Sequence, residues 1–298
     1  MLVAVIAGAG SGKTRVLTRR VAYRVAAGTA DEAHTVVLTF TREAAGELRR
    51  RLPRLGLQGR CTAGTFHSIA LSLLQQRWRD LDQRPWTVAA DRRRLVLKSV
   101  PKELFQGVDL DPLLAEMNWA TARLLDGGRY EAAVRRGDRN PPIDASTVAT
   151  VLDRYRQEKS RRQVVDLDDL MGRAIEALER EPQFADNVRW RFRHVLVDEA
   201  QDLNPLQHRF IEQLRLGRDD LFLVGDPAQA IYGFNGADPA LLLDVSTRFP
   251  GIEIVRLPTN HRSTPQVVDT GAHALRSDGQ PTGVRSARAD GTATQILS

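Results

Sequence analysis

The segment Ala7-Gly8-Ala9-Gly10-Ser11-Gly12-Lys13-Thr14 places three glycines, a lysine and two hydroxyls within eight positions. It follows a short apolar run and leads into a helix-forming stretch, Arg15 to Ala27. That combination suits a polyphosphate. Glycines let backbone N–H groups wrap the phosphates, and the helix N-terminus adds partial positive charge. Lys13 can neutralise β/γ oxygens, and Thr14 can offer a hydroxyl to Mg²⁺. Ala7 stands where the strict pattern has glycine, and a glycine-rich turn with no ligand has a similar composition, so the reading needs a second element.

Val195-Leu196-Val197-Asp198-Glu199-Ala200-Gln201-Asp202 is an apolar strand that ends in paired acids. Asp198 is placed to hold Mg²⁺ and Glu199 to accept a proton from an attacking water. Paired acids at a strand end also occur in surface loops, and only a nearby phosphate site gives them this purpose. A third strand runs into Val224-Gly225-Asp226-Pro227-Ala228-Gln229-Ala230-Ile231-Tyr232-Gly233-Phe234. Gln229, just past its carboxyl edge, can touch a γ-phosphate or the attacking water. Tyr232 and Phe234 either stack on bases or belong to the core.

Elements that would position these groups are visible as short apolar or β-branched runs at Leu2–Ile6, Thr35–Phe40, Val195–Val197, Leu221–Val224 and Ile252–Leu257, alternating with helical stretches. Such alternation predicts an α/β fold with a parallel sheet, its ligand at the carboxyl edge. From Arg84 to Arg162 strand signals vanish and the pattern predicts an inserted helical subdomain, broken at Pro101, Pro112, Gly127–Gly128 and Pro141–Pro142. This stretch carries 16 basic and 11 acidic side chains, an excess of 16 − 11 = +5, clustered at Arg92–Arg94, Arg135–Arg136 and Arg161–Arg162. Each cluster is either a nucleic-acid contact or a solvated helical face. Ser277–Ser298 turns Gly-, Ser- and Thr-rich, with a possible strand from Thr294, and is expected to be poorly ordered unless something outside this chain covers it.

With 42% hydrophobic and 27% charged residues in 298, the chain has the makings of one main domain plus an insertion or tail. Lys and Arg exceed Asp and Glu by 43 to 37, a net +6, which favours polyanionic partners or reflects an arginine-rich codon bias. A lone cysteine, Cys61, rules out an internal disulfide and a multi-cysteine zinc site. No apolar run approaches the length of a membrane span, and Met1 to Ala9 lacks the charged leader of a signal peptide, so no membrane partner and a cytoplasmic location are expected.

In order, AGAGSGKT, TFTREAAGEL, GTFHS, VDEAQD, GDPAQAIYG and NHRST resemble the successive motifs of superfamily 1 DNA helicases of the UvrD/Rep/PcrA group. The resemblance runs from Val3 to about Thr270 and implies a P-loop (RecA-like) parallel sheet flanked by helices, interrupted by a helical insertion. It implies that ATP and Mg²⁺ are held by the loop Ala7 to Thr14 with Arg15, the metal by Thr14 and Asp198. Glu199 activates water, Gln229 senses the γ-phosphate, and Arg262 in Asn260-His261-Arg262-Ser263 reaches that phosphate. Thr39, Phe40 and Thr41, then Thr65, Phe66 and His67, and finally Tyr232 and Phe234 match positions that line a single-stranded DNA track, where stacking is worth about 1–3 kcal/mol per base. Partners implied are single-stranded DNA and single-strand/duplex junctions.

The same resemblance sets domain expectations: a first RecA-like domain over 1–83 and 165–258, the insertion over 84–164, and the start of a second motor domain over 259–298. Asp166-Leu167-Asp168-Asp169-Leu170 resembles the return into the first domain. His261 stands where the family usually has a tyrosine packing on adenine, Asn235 where an arginine is usual, and Phe234 where tryptophan is more frequent. Only six residues precede Ala7, where the family places an adenine-reading glutamine element, and no later segment resembles the second domain's arginine motifs. The expectation is a 3′-to-5′ translocase or helicase, truncated at both ends, unable to unwind alone, whose missing second motor domain is supplied in cis or in trans. A binding fragment without turnover and the motor part of a RecB- or Adn-like helicase–nuclease are the alternatives.

Overall fold

Successive strand residues point to opposite faces, so a strand apolar throughout needs cover on both sides. Strand β1 (Leu2–Ala7) meets that condition. Leu2 and Ala4 enter one core, whereas Val3, Val5 and Ala7 enter another on the opposite face. The same split holds for β2 (Thr35–Thr39), β6 (His194–Val197) and β7 (Leu221–Gly225), where Val36, Leu38, Val195, Val197, Leu221 and Leu223 face one way and Val37, Leu196, Phe222 and Val224 the other. The structure, a computed structural model, describes residues 1–89, 91–104, 109–230, 236–277, 283–292 and 294.

With β3 (Thr62–Thr65) and β8 (Glu253–Leu257), these strands form a six-stranded sheet in the order β3-β2-β6-β7-β1-β8, every pairing parallel. Helices α1 (Lys13–Ala26) and α2 (Arg42–Arg51) cover one face through Leu17, Val21 and Leu48. Helices α3 (Phe66–Asp80), α8 (Leu167–Arg180), α9 (Pro182–Arg191) and α10 (Pro205–Arg215) cover the other through residues such as Leu73, Ile175, Val188 and Phe210. The expected α/β fold with a parallel sheet flanked by helices is present. Strand β3 was absent from the expected set because Thr-Ala-Gly-Thr carries almost no apolar signal; its pairing with β2, Val36 opposite Thr62, supplies what its sequence lacks.

Between α3 and α8 the chain leaves the sheet and builds α4 (Arg92–Ser99), α5 (Leu110–Ala122), α6 (Gly127–Arg136) and α7 (Ala145–Arg162) around a separate core that includes Leu113, Met117, Tyr130, Val148 and Leu152. Its expected lack of strands needs one correction. Strands β4 (Thr87–Val88) and β5 (Val164–Val165) pair in parallel where the helical segment begins and ends, too short for any periodicity to reveal them. Much of its positive charge is locally matched: Arg93 lies 2.9 Å from Asp111, Arg136 2.8 Å from Asp138, and both Arg161 and Arg162 pair with Glu158. Arg123 of this segment reaches Asp238 at 4.0 Å, beyond α10. Among the described residues no helix is long and apolar enough to cross a membrane.

After α11 (Ala240–Leu243), α12 (Val245–Arg248) and β8, strand β9 (Thr259–Asn260) and helix α13 (Pro265–Ser277) follow. Part of the Gly/Ser/Thr-rich tail finds its partner within this chain, not outside it as expected: β10 (Arg285–Ser286) pairs with β9. The strand expected from Thr294 falls, apart from Thr294 itself, outside the described residues.

The return from the insertion is fixed by Asp166, 4% exposed. Its carboxylate accepts from Tyr155 Oη at 2.8 Å and Lys159 Nζ at 3.0 Å on α7, and from the Asp169 amide at 2.8 Å on α8. Asp169 in turn accepts from the Asp166 amide, completing a capping box. Burial raises the cost of this carboxylate, but Lys159 and the hydrogen bonds hold its pKa below the usual value. Asp166→Ala would strand Lys159 in the interior with half its countercharge; we expect a loss of about 3 kcal/mol in unfolding free energy, read by urea denaturation, and an unchanged midpoint would contradict this anchoring role.

Candidate functional site

A parallel sheet delivers every strand's carboxyl end to one edge, and the residues singled out by the sequence follow those ends. Ala7 closes β1, Thr39 closes β2 and Thr65 closes β3. Asp198 follows β6, Asp226 follows β7, and Arg262 follows β9, the continuation of β8.

The loop after β1 turns through Gly10 (φ 69°) and Gly12 (φ 92°), backbone conformations that side-chain-bearing residues rarely adopt. Ser11 closes it, its amide and hydroxyl donating to the Gly8 carbonyl at 3.2 and 2.7 Å. Gly12 caps α1 with no side-chain partner and the first turn holds no acid, so the helix N-terminus keeps its positive end for an anion. Lys13, 9% exposed, sends its Nζ to Gln229 Oε1 at 3.3 Å and lies 3.6 Å from Glu199 Oε2. Thr14 Oγ1 donates to Asp198 Oδ2 at 3.4 Å. Arg15 is exposed on α1. The loop, Lys13, Thr14, Asp198, Glu199 and Gln229 are therefore brought together from three strand ends.

Glu199 adopts φ 51°, a left-handed conformation costly for a non-glycine residue, and that turn aims its carboxylate at Lys13. Gln201, 3% exposed, braces it: Nε2 donates to Glu199 Oε2 at 3.1 Å and Asp202 Oδ2 at 3.3 Å, while Oε1 accepts the Asp226 amide at 2.9 Å. A side chain on Gly225 would come within 2.7 Å of that Oε1, so glycine is needed there. Gln229 Nε2 donates to Asp226 Oδ2 at 2.5 Å, which turns its carbonyl toward Lys13. Burial, then the charge of Glu199, pushes the Asp198 carboxyl up to about 6, and the same causes push Asp202 to about 6. Asp202 also keeps one buried oxygen, Oδ1, without a hydrogen-bond partner. Such a site holds more negative charge than its surroundings compensate, and it can receive a cation.

A cleft of about 560 Å³ runs beside these groups, lined by Phe40, Thr41, Glu199, Asp202, Asn204 and Gln229. Phe40 is half-buried at its wall and tilts against Phe66, ring centroids 5.4 Å apart. Thr41 is exposed and caps α2, accepting from the Ala44 amide. Thr39 and Phe66 are each 1% exposed; Thr39 still lines the floor of the cleft, whereas Phe66 backs Phe40 from beneath. Thr65 caps α3, and His67 Nε2 lies 3.4 Å from Asp168 Oδ1 at the start of α8. Tyr232 and Phe234 lie outside the described residues. Arg262 is exposed on the turn after β9.

Gln201 and Asn260, both buried and both fully engaged, were given no role on sequence grounds. Each sits inside a recognised motif string, which was the available signal; what the sequence hides is that the amide is buried.

Sheet order, phosphate loop and strand-end acids together define a RecA-like P-loop domain. The chain belongs to the UvrD/REP helicase N-terminal domain family, whose model matches residues 2–250. It is 38% identical over 279 residues to the ATP-dependent DNA helicase UvrD2 of Mycobacterium tuberculosis, covering 89% of this chain and 40% of that protein. Against the ATP-dependent DNA helicase UvrD1 of Mycobacterium leprae the identity is 33%, over 89% of this chain and 36% of the relative. Against the ATP-dependent DNA helicase PcrA of Staphylococcus aureus it is 30%, over 96% and 40%. The chain thus spans well under half the length of these relatives.

A carboxyl whose pKa is raised by folding takes up protons as the chain folds, so its contribution to stability falls as pH rises from its ordinary 3.8 toward about 6, then levels off. Asp198→Asn removes that burden while keeping the shape. The variant, free of nucleotide and metal, should be more stable than the parent at about pH 7 by roughly 1–3 kcal/mol, with the gap closing toward about pH 4. Urea denaturation at the two pH values checks this; a variant less stable at neutral pH would show that the buried carboxylate is well compensated.

Proposed function

We propose that this chain is the ATP-binding motor portion of a DNA helicase or translocase that couples Mg-ATP hydrolysis to 3′-to-5′ movement along single-stranded DNA. One observation carries the reading: Lys13 is held between Gln229 at 3.3 Å and Glu199 at 3.6 Å, and those two side chains line the cleft that Phe40 also lines. A γ-phosphate sensor, a base and an aromatic surface share one cavity, and the phosphate-binding cation touches the first two. The relatives' description as ATP-dependent DNA helicases supports the same activity here.

On this reading the loop Ala7 to Thr14 and the open end of α1 bind the triphosphate, with Arg15 and His261 flanking the base. Thr14 and Asp198 hold Mg²⁺, whose charge offsets that of the phosphates; the uncompensated carboxylates at Asp198 and Asp202 fit a cation. Among the described residues no group of three or more His, Cys, Asp or Glu side chains is placed to hold a metal ion. Glu199, freed from Lys13 when phosphate oxygens compete for that ammonium, accepts the proton of the attacking water. Gln229 and Arg262 meet the γ-phosphate. Phe40, backed by Phe66, offers the stacking face, and Thr41, Thr65 and His67 line the track, with Tyr232 and Phe234 continuing it and Thr39 setting its floor.

Residues 1–83 and 165–258 form the first motor domain on this proposal, 84–164 its helical insertion, and 259–298 the beginning of a second. Stepping along a strand would need a second motor domain, in cis or in trans, to grip it in alternation with the first. Single-strand/duplex junctions are the proposed substrate and the cytoplasm the proposed location.

Lys13→Ala should weaken binding of a fluorescent ATP analogue by about tenfold or more, the scale of a lost charge-assisted contact, without altering the circular dichroism spectrum; equal affinity in variant and parent would defeat the phosphate-loop assignment. Glu199→Gln should keep nucleotide affinity and lower single-strand-stimulated turnover by about 10²–10⁴, measured by phosphate release in a chain carrying both motor domains. Unchanged turnover would remove Glu199 from the role of base.

A further inference from the structure

Asn260 is 4% exposed, yet every polar atom of its side chain is engaged. Nδ2 donates to the Ala9 carbonyl of the phosphate loop at 2.8 Å. Oδ1 accepts the amides of Arg262 at 2.7 Å and Ser263 at 2.8 Å. The next residue continues the junction, the His261 amide donating to the Gly10 carbonyl at 2.9 Å. Gly10 makes the close approach possible: a Cβ there would lie 2.7 Å from Asn260 Oδ1 and 2.8 Å from the Arg262 Cβ. Behind the turn, Ser286 Oγ donates to the Ser263 carbonyl at 2.7 Å and the Ala287 amide to the Asn260 carbonyl at 2.8 Å. This side keeps the turn from swinging away.

A planar trans peptide points its C=O and N–H in opposite directions. Holding the Ala9 carbonyl toward Asn260 therefore turns the Gly10 N–H, in the same peptide plane, away from it. The same carboxamide orders the backbone that carries Arg262. Only an amide has both a donor and an acceptor at these two positions: aspartate lacks the donor and alanine lacks both.

We propose that Asn260 is a positioning residue that locks the phosphate loop to the Arg262 turn, so that preference for a nucleoside triphosphate over a diphosphate depends on it. The inference rests on the reading of this sheet edge as an ATP site. Asn260 touches no phosphate; it acts through Arg262, whose turn it ties to the Ala9 carbonyl of the loop.

Affinities of fluorescent ATPγS and ADP analogues, titrated in the presence of Mg²⁺, give the triphosphate-to-diphosphate ratio for the parent, Asn260→Ala, Asn260→Asp, Arg262→Ala and the double variant Asn260→Ala/Arg262→Ala. Asn260→Ala and Arg262→Ala should each lower the ratio by about tenfold, and the double variant should fall no further than Arg262→Ala alone, since one residue acts through the other. Asn260→Asp keeps the acceptor for the Arg262 and Ser263 amides and loses the donor to Ala9, so it should fold and still lower the ratio; it carries the test if the alanine variant does not fold. A ratio unchanged in Asn260→Asp, or losses that multiply in the double variant, would overturn the coupling while leaving the ATP site intact. A parent that binds neither analogue would instead defeat the ATP-site reading, and this inference with it.

Discussion

The parallel register of the sheet is the constraint on which the site depends. The glycine-rich loop, the strand-end acids, Gln229 and Phe40 are far apart in sequence, and no local interaction would bring Lys13 within hydrogen-bonding reach of Gln229. Pairing β1 beside β7, β7 beside β6 and β6 beside β2 does so, because each strand ends at the same height and releases its chain to the same side. What fixes that register is the period-2 burial of both sheet faces: a one-residue slip of β1 would exchange its two sets of core side chains. Core packing and site geometry are thus one specification.

The site itself is built against local stability. Glu199 occupies a left-handed conformation, Asp198 and Asp202 hold carboxyls whose charge is penalised by burial, and Asp202 leaves an oxygen without a partner. These costs are borne by the sheet and its helices, and they leave a pocket of negative charge beside the buried ammonium of Lys13. A bound polyanion with its cation would relieve both. Away from this edge, Asp166 is matched by Lys159 and Tyr155, and these contacts tie the helical segment to the domain that carries the sheet.

Much of this was legible in the sequence because the phosphate loop and the VDEAQD and GDPAQ strings carry their chemistry and their strand endings together. The parallel fold and the run of helices between Arg84 and Arg162 were readable for the same reason: long apolar patterns survive without tertiary context. Strand β3 was not, since Thr62–Thr65 becomes a strand only through its neighbour, and β4 and β5 are too short to show periodicity. Phe66 illustrates the other limit, because composition cannot say which of two nearby aromatics, Phe40 or Phe66, is the buried one. Burial of Gln201 and Asn260 was equally invisible, and in both residues it turns an ordinary amide into a structural joint.

If nucleotide and single-stranded DNA occupy adjoining parts of one cavity, each must alter the affinity of the other, and by the same factor. The direct test is the affinity of a fluorescent oligothymidine for this chain, measured by anisotropy with and without a saturating Mg²⁺–ATP analogue, paired with the reverse titration of nucleotide with and without DNA. The account predicts a reciprocal change of about fivefold or more, abolished by high salt only to the extent that DNA binding itself is weakened. Two ligands that bind with affinities indifferent to each other would contradict the claim that the sheet edge is a single coupled site.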